Sequence, residues 1–262
     1  MFIPAYHAET DLSILRQFIR DNPLGIFTTA TPSTPHSLLQ VSHIPWVLDF
    51  EDVDDPTNLG RLRGHMARQN VQAKAMIQNL SKSLSETTSY LEEEVLIVFN
   101  GPVHHYITPK YYVQTKPDTG KVVPTWNYST VQVYGKARVF YDTKSADFVS
   151  FLSKQLSDLT RLGESSIMGY GGAGRLKPWE ISDAPDQYID LMTKSLIGLE
   201  VEILSMTGKF KWSQEKPKAD RDGVIAGLQN LGSAAGSQMA TIAKERAAIF
   251  DSRKVEKKRA SD

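Results

Sequence analysis

The sequence predicts a mainly β protein with peripheral helices, of the α+β class, built as a small antiparallel β-barrel. Three observations support this prediction. About six or seven segments carry strand patterns, most of them are joined by short loops, and helical periodicity is confined to the start, middle and end of the chain. Short connections favour antiparallel pairing, and several short strands that pair in this way commonly close into a barrel.

The strand segments are recognised by β-branched and apolar runs bounded by turn residues. The clearest is VLIVFNG, a nearly continuous apolar run typical of a buried sheet position. The other predicted strands are Leu24–Thr31, Ser37–Asp49, the short Arg61–Met66, and the alternating segment that ends at Asp142, followed by a hairpin across Thr207-Gly208.

Helical spacing of apolar residues appears between Leu12 and Ile19 and again between Phe148 and Leu159. Another helix is predicted from a capping Ser182 or Asp183. Apolar residues at three-and-four spacing continue in the tail, whose last ten residues are predicted to be a frayed, solvated end. We therefore predict a barrel domain with inserted helices at residues 1–215 and a C-terminal helical extension at residues 216–262.

Composition narrows the classes of function. Lys and Arg number 30 against 30 Asp and Glu, so DNA binding is possible but gains no support from charge. The chain has no cysteine, which excludes disulfides, thiolate nucleophiles and cysteine-bound metals. No apolar run approaches the roughly 20 residues of a membrane span, and no signal peptide is evident, so we expect no membrane association and a cytoplasmic location.

The stretch GKVVPTWNYSTVQVYGKARVFYD is the first candidate site. On an extended strand Asn127 and Ser129 share a face with core valines, so they should point inward and need hydrogen-bond partners. Trp126 and Tyr128 then lie on the outer face, where a partner subunit or a planar ligand would cover them. Packing under a helix is an equally good explanation. Lys121, just upstream, could reach an anionic group.

The second candidate combines His43, at the end of a strand, with Arg61, Arg63, His65 and Arg68. If the strand is regular, Arg61, Arg63 and His65 share one face. Guanidinium groups suit phosphate oxygens because their fork donates two hydrogen bonds. The alternative is an exposed, charged edge strand.

His104-His105 is the third candidate. Adjacent residues on a strand point in opposite directions, so the pair cannot bind one metal ion from regular geometry, and we predict no metal site. A heme axial ligand is possible, but no spacing supports it.

Several motifs occur in a fixed order: MFIPAYHAETD, NPLGIFTT, HIPW, LRGHMARQN, VLIVFNGP, GKVVPTWNY, PWEISDAP, IGLEVEI and GKFKWSQ…ADRDGVIAGL. Together they resemble the PaiB-type family of negative transcriptional regulators, within the FMN-binding split-barrel superfamily. The resemblance extends to about Leu228. The segment from Asn79 to Glu92 looks like an added stretch relative to compact family members.

The resemblance implies a six-stranded antiparallel split barrel that forms a homodimer and binds FMN where two subunits meet. Mapped onto the motifs, Trp126 and Tyr128 lie beside the flavin ring together with Pro124, Thr125 and Asn127. Lys121, Arg63 and Arg68 are predicted to favour the phosphate end. His43 and His65 border the same cleft and are the candidate catalytic residues.

Three functions are compatible with these residues. The first is an FMN-dependent oxidoreductase that acts on a small molecule, with the two histidines donating protons. The second is a transcriptional regulator without catalysis, which would also be compatible with a nuclear location. The third is a split barrel that binds heme or an aromatic metabolite, because fold alone does not decide function. The sequence leaves open whether the chain is an enzyme.

Overall fold

A computed structural model describes residues 1–50, 58–82 and 89–261. The described residues contain nine strands and seven α-helices. The strands are β1 (Ala8–Glu9), β2 (Leu24–Ala30), β3 (Leu39–Pro45), β4 (Val47–Asp49), β5 (Arg61–Ala67), β6 (Val95–Asn100), β7 (His105–Ile107), β8 (Thr125–Phe140) and β9 (Leu196–Lys211). The helices are α1 (Leu12–Asp21), α2 (Val71–Lys82), α3 (Thr115–Thr119), α4 (Ala146–Arg161), α5 (Asp186–Lys194), α6 (Lys218–Gln229) and α7 (Ala234–Ser261).

The strands follow the order β3-β2-β6-β8-β9-β5-β4, with β1 paired to β9 and β7 paired to β8. The recorded registers, such as Ile26 opposite both His43 and Val98, are antiparallel. The predicted fold class is therefore confirmed: a mainly antiparallel sheet of split-barrel type with helices. Nine strands are found instead of six because the short β1 and β7 count separately and one predicted strand is divided.

That divided strand is Ser37–Asp49, which forms β3 and β4. The two parts pair with different neighbours, β3 with β2 and β4 with β5. Pro45 has no N–H to donate to a ladder, and the next residue, Trp46, donates its backbone N–H to the carbonyl of Pro23 at 2.9 Å. The chain therefore changes partner at a proline followed by a buried tryptophan.

The chain forms two compact units that interleave in sequence. The first comprises residues 1–15, 100–131 and 207–262, and the second comprises residues 16–99 and 132–206. The long strands β8 and β9 each contribute residues to both. The predicted division at residue 215 remains a prediction, and the two units are described separately below.

In the second unit, Trp46 is the centre of the core. It is 1 % exposed, and its ring meets Phe27 edge-on with 5.5 Å between centroids. A Cβ on Gly64 would lie 2.9 Å from the Trp46 ring, so this glycine allows the indole to lie directly on β5. Other fully buried apolar side chains complete the core: Leu62, Met76, Ile97, Phe99, Val133, Val139, Leu199 and Val201.

In the first unit, α6 and α7 complete the core behind the end of β9. Trp212 is 2 % exposed, and its indole N–H donates to Ser129 Oγ at 2.8 Å. Asp220 of α6 is buried and accepts from the backbone N–H of Gln114 at 2.7 Å. This carboxylate also accepts from the backbone N–H of Thr115 at 3.2 Å, so it holds the start of α3.

Three local predictions were wrong. The hairpin across Thr207-Gly208 is absent because β9 continues through both residues, and Gly208 pairs with Glu9 of β1. Helix α5 starts at Asp186, not at Ser182 or Asp183, since residues Ile181–Asp183 form a separate 3₁₀ turn. The C-terminal residues through Ser261 are helical. Of the added stretch at residues 79–92, residues 83–88 lie outside the described part.

Candidate functional site

At the start of β8 the side chains alternate between the exposed and the buried side of the strand, as the sequence predicted. Trp126 is 51 % exposed, whereas Asn127 is fully buried. The Asn127 amide donates to Ser213 Oγ at 3.1 Å. The predicted inward orientation is thus confirmed. The buried hydrogen-bond pair supports the strand, and the cofactor role of Asn127 remains a prediction.

An exposed group of flat rings lies beside this strand, and we call His104, Tyr106 and Trp126 the aromatic surface. Strand β7 pairs with β8 so that Tyr106 is opposite Trp126. The Trp126 ring centroid lies 5.5 Å from that of His104 and 6.4 Å from that of Tyr106. Cross-strand aromatic pairs at these separations fix one another's orientation. The surface therefore presents oriented, solvent-accessible rings.

Two lysines of β9 contact the same stretch of β8. The Lys209 ammonium lies 5.6 Å from the centre of the Tyr128 ring, and Lys211 donates a hydrogen bond to Thr125 Oγ1. Burial, and then the neighbouring charges of Lys209 and Lys216, lower the pKa of Lys211, while Glu215 opposes this change. Sequence reasoning missed both lysines, although their alternation in GKFKW places them on one face of a strand.

Lys121 and Pro124 remain on the surface, in the segment that leads into β8. Gly120 ends α3 with a φ of 65°, a left-handed conformation that glycine adopts without steric cost. The chain therefore turns sharply just before Lys121. These two residues stay available for the cofactor role predicted for them.

Arg63 does not have the environment predicted for a phosphate ligand. It is 3 % exposed, and its Nη2 donates to Asp158 at 2.7 Å and to Asp49 at 3.1 Å. Its Nη1 donates to Gln155 at 3.2 Å. The guanidinium is neutralised by two carboxylates beneath α4, so its geometry supports a structural role.

Arg68 also makes structural contacts, in this case hydrogen bonds to backbone carbonyl groups. Its Nη2 donates to the carbonyl oxygens of Tyr141 and Leu196. The Arg68 backbone N–H donates to the carbonyl of Ser195 at 2.8 Å. These bonds join the end of β5 to the start of β9. In the structure both arginines contact other parts of the fold, and their phosphate role remains a prediction without support from these contacts.

The two candidate catalytic histidines differ in environment. His65 lies on β5 and is half-buried, and its Nδ1 has no hydrogen-bond partner among the described residues. Burial lowers the pKa of His65, which favours the neutral imidazole. His43 is exposed on β3.

The environment of His65 predicts a pH dependence. We expect its imidazole to titrate below its ordinary pKa of 6.5. Because the folded protein resists protonation more than the unfolded chain, stability should begin to fall as the pH drops below 6.5 and continue to fall through the folded-state pKa. Histidine NMR titration would measure the pKa, with His65→Gln to assign the signal. A midpoint at or above 6.5 would contradict the burial argument.

The outer side of β3 and its neighbours is apolar, and we call it the β3 face. Leu39 is 65 % exposed and Val41 is 56 % exposed, while inward residues of β2 and β6 such as Phe27 and Ile97 are fully buried. The registers place further outward residues beside them: Leu24, Ile26, Ala30, Leu96, Val98 and His43. Strands with apolar residues on both sides require a cover on both sides.

Two classes of site find no support in the described part of the chain. No group of three or more histidine, aspartate and glutamate residues is placed there to hold a metal ion. Within the same residues, no helix has the length and apolar character needed to cross a bilayer.

Comparison with known proteins identifies the family. Residues 1–205 match the sequence model of a family described as "Putative FMN-binding domain". An uncharacterised protein of Aspergillus fumigatus is 53 % identical over 259 residues, covering 96 % of this chain and 99 % of the relative. Protease synthase and sporulation protein PAI 2 of Bacillus subtilis is 25 % identical, covering 94 % of this chain and 98 % of the relative.

Among solved structures, the flavocytochrome Anf3 from Azotobacter vinelandii matches at a TM-score of 0.45 and 11 % identity. The match covers 80 % of this chain and 72 % of that chain. The resemblance seen in the motifs is confirmed by the match over most of the sequence, and the chain belongs to the PaiB-type FMN-binding family.

Proposed function

We propose that this chain is an FMN-dependent oxidoreductase that acts on a small molecule as a homodimer, and that the aromatic surface receives the flavin ring. The observation that carries the proposal is the combination of exposed, oriented rings with two lysines on adjacent strands, in a chain of an FMN-binding family. FMN joins a planar ring system to an anionic phosphate. The residues present fit both parts.

The ring fits because Trp126 presents about half of its surface to solvent while Tyr106 and His104 restrict its orientation. A flat ligand that covers Trp126 removes apolar area from water and gains stacking energy. Tyr128 would support the ring from the same side of β8. The side-chain entropy lost on binding is small, because the rings already contact one another in the protein.

The phosphate fits the lysines of the same unit. Lys211 and Lys209 are held by Thr125 and Tyr128, and Lys121 is exposed upstream. Burial, and then the charges of Lys209 and Lys216, lower the pKa of Lys211, against the opposing charge of Glu215. An anionic group nearby would favour the charged form of this lysine. Lys211 thus takes the role that the sequence had suggested for Arg63.

FMN supplies hydride and single-electron transfer when it is bound. The protein's own contribution is orientation, exclusion of water from the covered ring, and proton transfer to the small molecule. The role of His43 in the last task stays the prediction made from its motif. His65 is half-buried, and the lowered pKa of its imidazole favours hydrogen bonding in the neutral form over proton donation as an imidazolium.

We propose that a second copy of the chain covers the β3 face. An exposed face with Leu39 and Val41 at its centre resembles the apolar core of a subunit interface. A two-fold dimer buries the same face on both copies, so one mode of contact covers the apolar residues of both subunits. A cytoplasmic location stays a prediction.

The balanced charge favours the enzyme over a DNA-binding regulator. With 30 basic and 30 acidic residues, the chain has no net attraction to a polyanion. A regulator would then bind DNA through a local basic patch or act through a protein partner. The presence of bound flavin and its turnover with a reductant separate the two functions.

The test is the absorption spectrum of the purified protein before and after addition of FMN, followed by titration. We expect flavin bands and saturable binding, and Trp126→Ala should weaken FMN affinity about tenfold or more, since aromatic stacking contributes roughly 1–3 kcal/mol. Lys211→Met should weaken it by a similar factor. Trp179→Ala is the matched control, because Trp179 is 45 % exposed but lies in the other unit.

Two outcomes would reject the proposal. A colourless protein that ignores added FMN would exclude flavin binding, and a Soret band would indicate heme instead. If the Trp126 and Trp179 variants lose affinity equally, the flavin ring does not stack at the aromatic surface.

A further inference from the structure

A second pocket lies in the first unit, and none of the residues assigned to flavin lines it. It has a volume of about 350 Å³ and is formed by the N-terminal segment and the middle of α7. Its lining is Ala5, Tyr6, Gln214, Arg246, Ile249, Phe250, Arg253 and Lys254. Small-molecule sites have volumes of roughly 300–1,000 Å³, so this pocket suits a small ligand.

The walls of the pocket are apolar and its charged groups are all cationic. Ile249, Phe250, Tyr6 and Ala5 supply the apolar walls, and none of the lining residues is acidic. Helix α7 places positions 246, 249, 250, 253 and 254 on one side because they are three or four residues apart. The pocket therefore combines an apolar interior with positive charge.

One buried carboxylate holds the two arginines of the pocket. Glu9 accepts from Arg246 Nη2 and from Arg253 Nη2, each at 2.8 Å, so it is shared between two guanidinium groups. Lys254, which is exposed, adds a third cation to the lining. Asp11 and Asp251 lie outside the lining and interact with Arg253 and Lys254, respectively. All three charged residues that line the pocket itself are therefore cationic.

Arg246 is also fixed before any ligand arrives. It is 7 % exposed, and its guanidinium lies 4.7 Å from the centre of the Phe210 ring. Its Nε has no hydrogen-bond partner among the described residues. A guanidinium that is already immobilised loses little side-chain entropy when an anion binds beside it.

We propose that this pocket binds a small hydrophobic carboxylate. The acyl chain or ring of the ligand packs against Ile249 and Phe250, and its carboxylate is held by the cationic side chains of α7. The absence of acidic lining residues disfavours cations, and the apolar walls disfavour small hydrophilic anions. This inference does not depend on flavin binding.

The probe is decanoate, titrated by isothermal calorimetry into the full-length protein with and without excess FMN. We expect saturable binding in both conditions, and binding of decanol at least tenfold weaker. Lys254→Glu should weaken decanoate binding about tenfold, because it replaces attraction with repulsion. Ala5→Trp should abolish binding by filling the pocket without removing an arginine.

Lys218→Glu is the control, since Lys218 is an exposed lysine of α6 outside the pocket, and it should leave decanoate affinity unchanged. Circular dichroism establishes that each variant is folded. Equal affinity for decanol and decanoate, or no effect of Ala5→Trp, would overturn the proposal. So would absence of decanoate binding together with weaker self-association of Ala5→Trp, which would show that a second copy occupies the pocket.

Discussion

Arg63→Met is expected to lower the free energy of unfolding by about 3 kcal/mol, the lower end of the cost of breaking a buried ion pair. The methionine fills a similar volume, so the effect reports the lost charge. Asp158 is 11 % exposed in its side chain and would lose its buried partner, although Lys154 and Arg161 continue to contact it. Asp49 is 39 % exposed and can recover some hydration.

Urea unfolding measures this loss, and Lys154→Met provides the control. Lys154 also pairs with Asp158, at 2.6 Å, but its side chain is 64 % exposed. Exposed pairs typically contribute less than about 1 kcal/mol, so this variant should be nearly as stable as the original protein. Equal losses in the two variants would show that burial does not determine the role of Arg63.

The Arg63→Met variant also distinguishes the structural role of Arg63 from the phosphate-binding role that the sequence suggested. If Arg63 bound the phosphate of FMN, Arg63→Met would weaken FMN affinity in the folded protein while leaving stability almost unchanged. The geometry predicts the reverse, because both carboxylate partners are already in place. Measuring affinity at a temperature where the variant is fully folded keeps the two effects apart.

Sequence periodicity predicted the features that depend only on residues close together in the chain, such as the side of a strand that each side chain faces. The period of two along β8 correctly placed Asn127 inward and Trp126 outward, since alternate side chains of a strand face opposite sides. The same reasoning predicted strand β5 but not the buried ion pairs of Arg63. Its partners Asp49 and Asp158 lie on β4 and α4, and the second is 95 positions away in sequence. Such pairings arise only from the tertiary fold.

In the candidate site, too, contacts between residues far apart in the sequence could not be predicted. Thr125 was assigned from its motif, but the lysine that contacts it, Lys211, is 86 positions away. The exposed surface on β3 could not be predicted because Ser37–Asp49 reads as one strand until Pro45 and Trp46 divide it. Local patterns set the orientation of each side chain, whereas the sheet order decides which side chains meet.

Val41→Glu is expected to raise the dissociation constant of the proposed homodimer more than 100-fold. In a two-fold dimer the substitution enters the interface twice, and an unpaired charge in an apolar contact costs several kcal/mol. Val41 is 56 % exposed in the isolated chain, so the monomer tolerates the glutamate. Sedimentation velocity at micromolar concentration measures the change in mass, and circular dichroism establishes that the variant is folded.

Val255→Glu is the matched control, since Val255 is 51 % exposed on α7 and lies off the β3 face. It should leave the mass unchanged. The motif resemblance implies that FMN binds where two subunits meet; if it does, the Val41→Glu monomer should also lose flavin, whereas the control should retain it. An original protein that sediments as a monomer, or a Val41→Glu variant that stays dimeric, would reject the β3 face as the interface. Loss of mass without loss of flavin would instead place the whole cofactor site within one subunit.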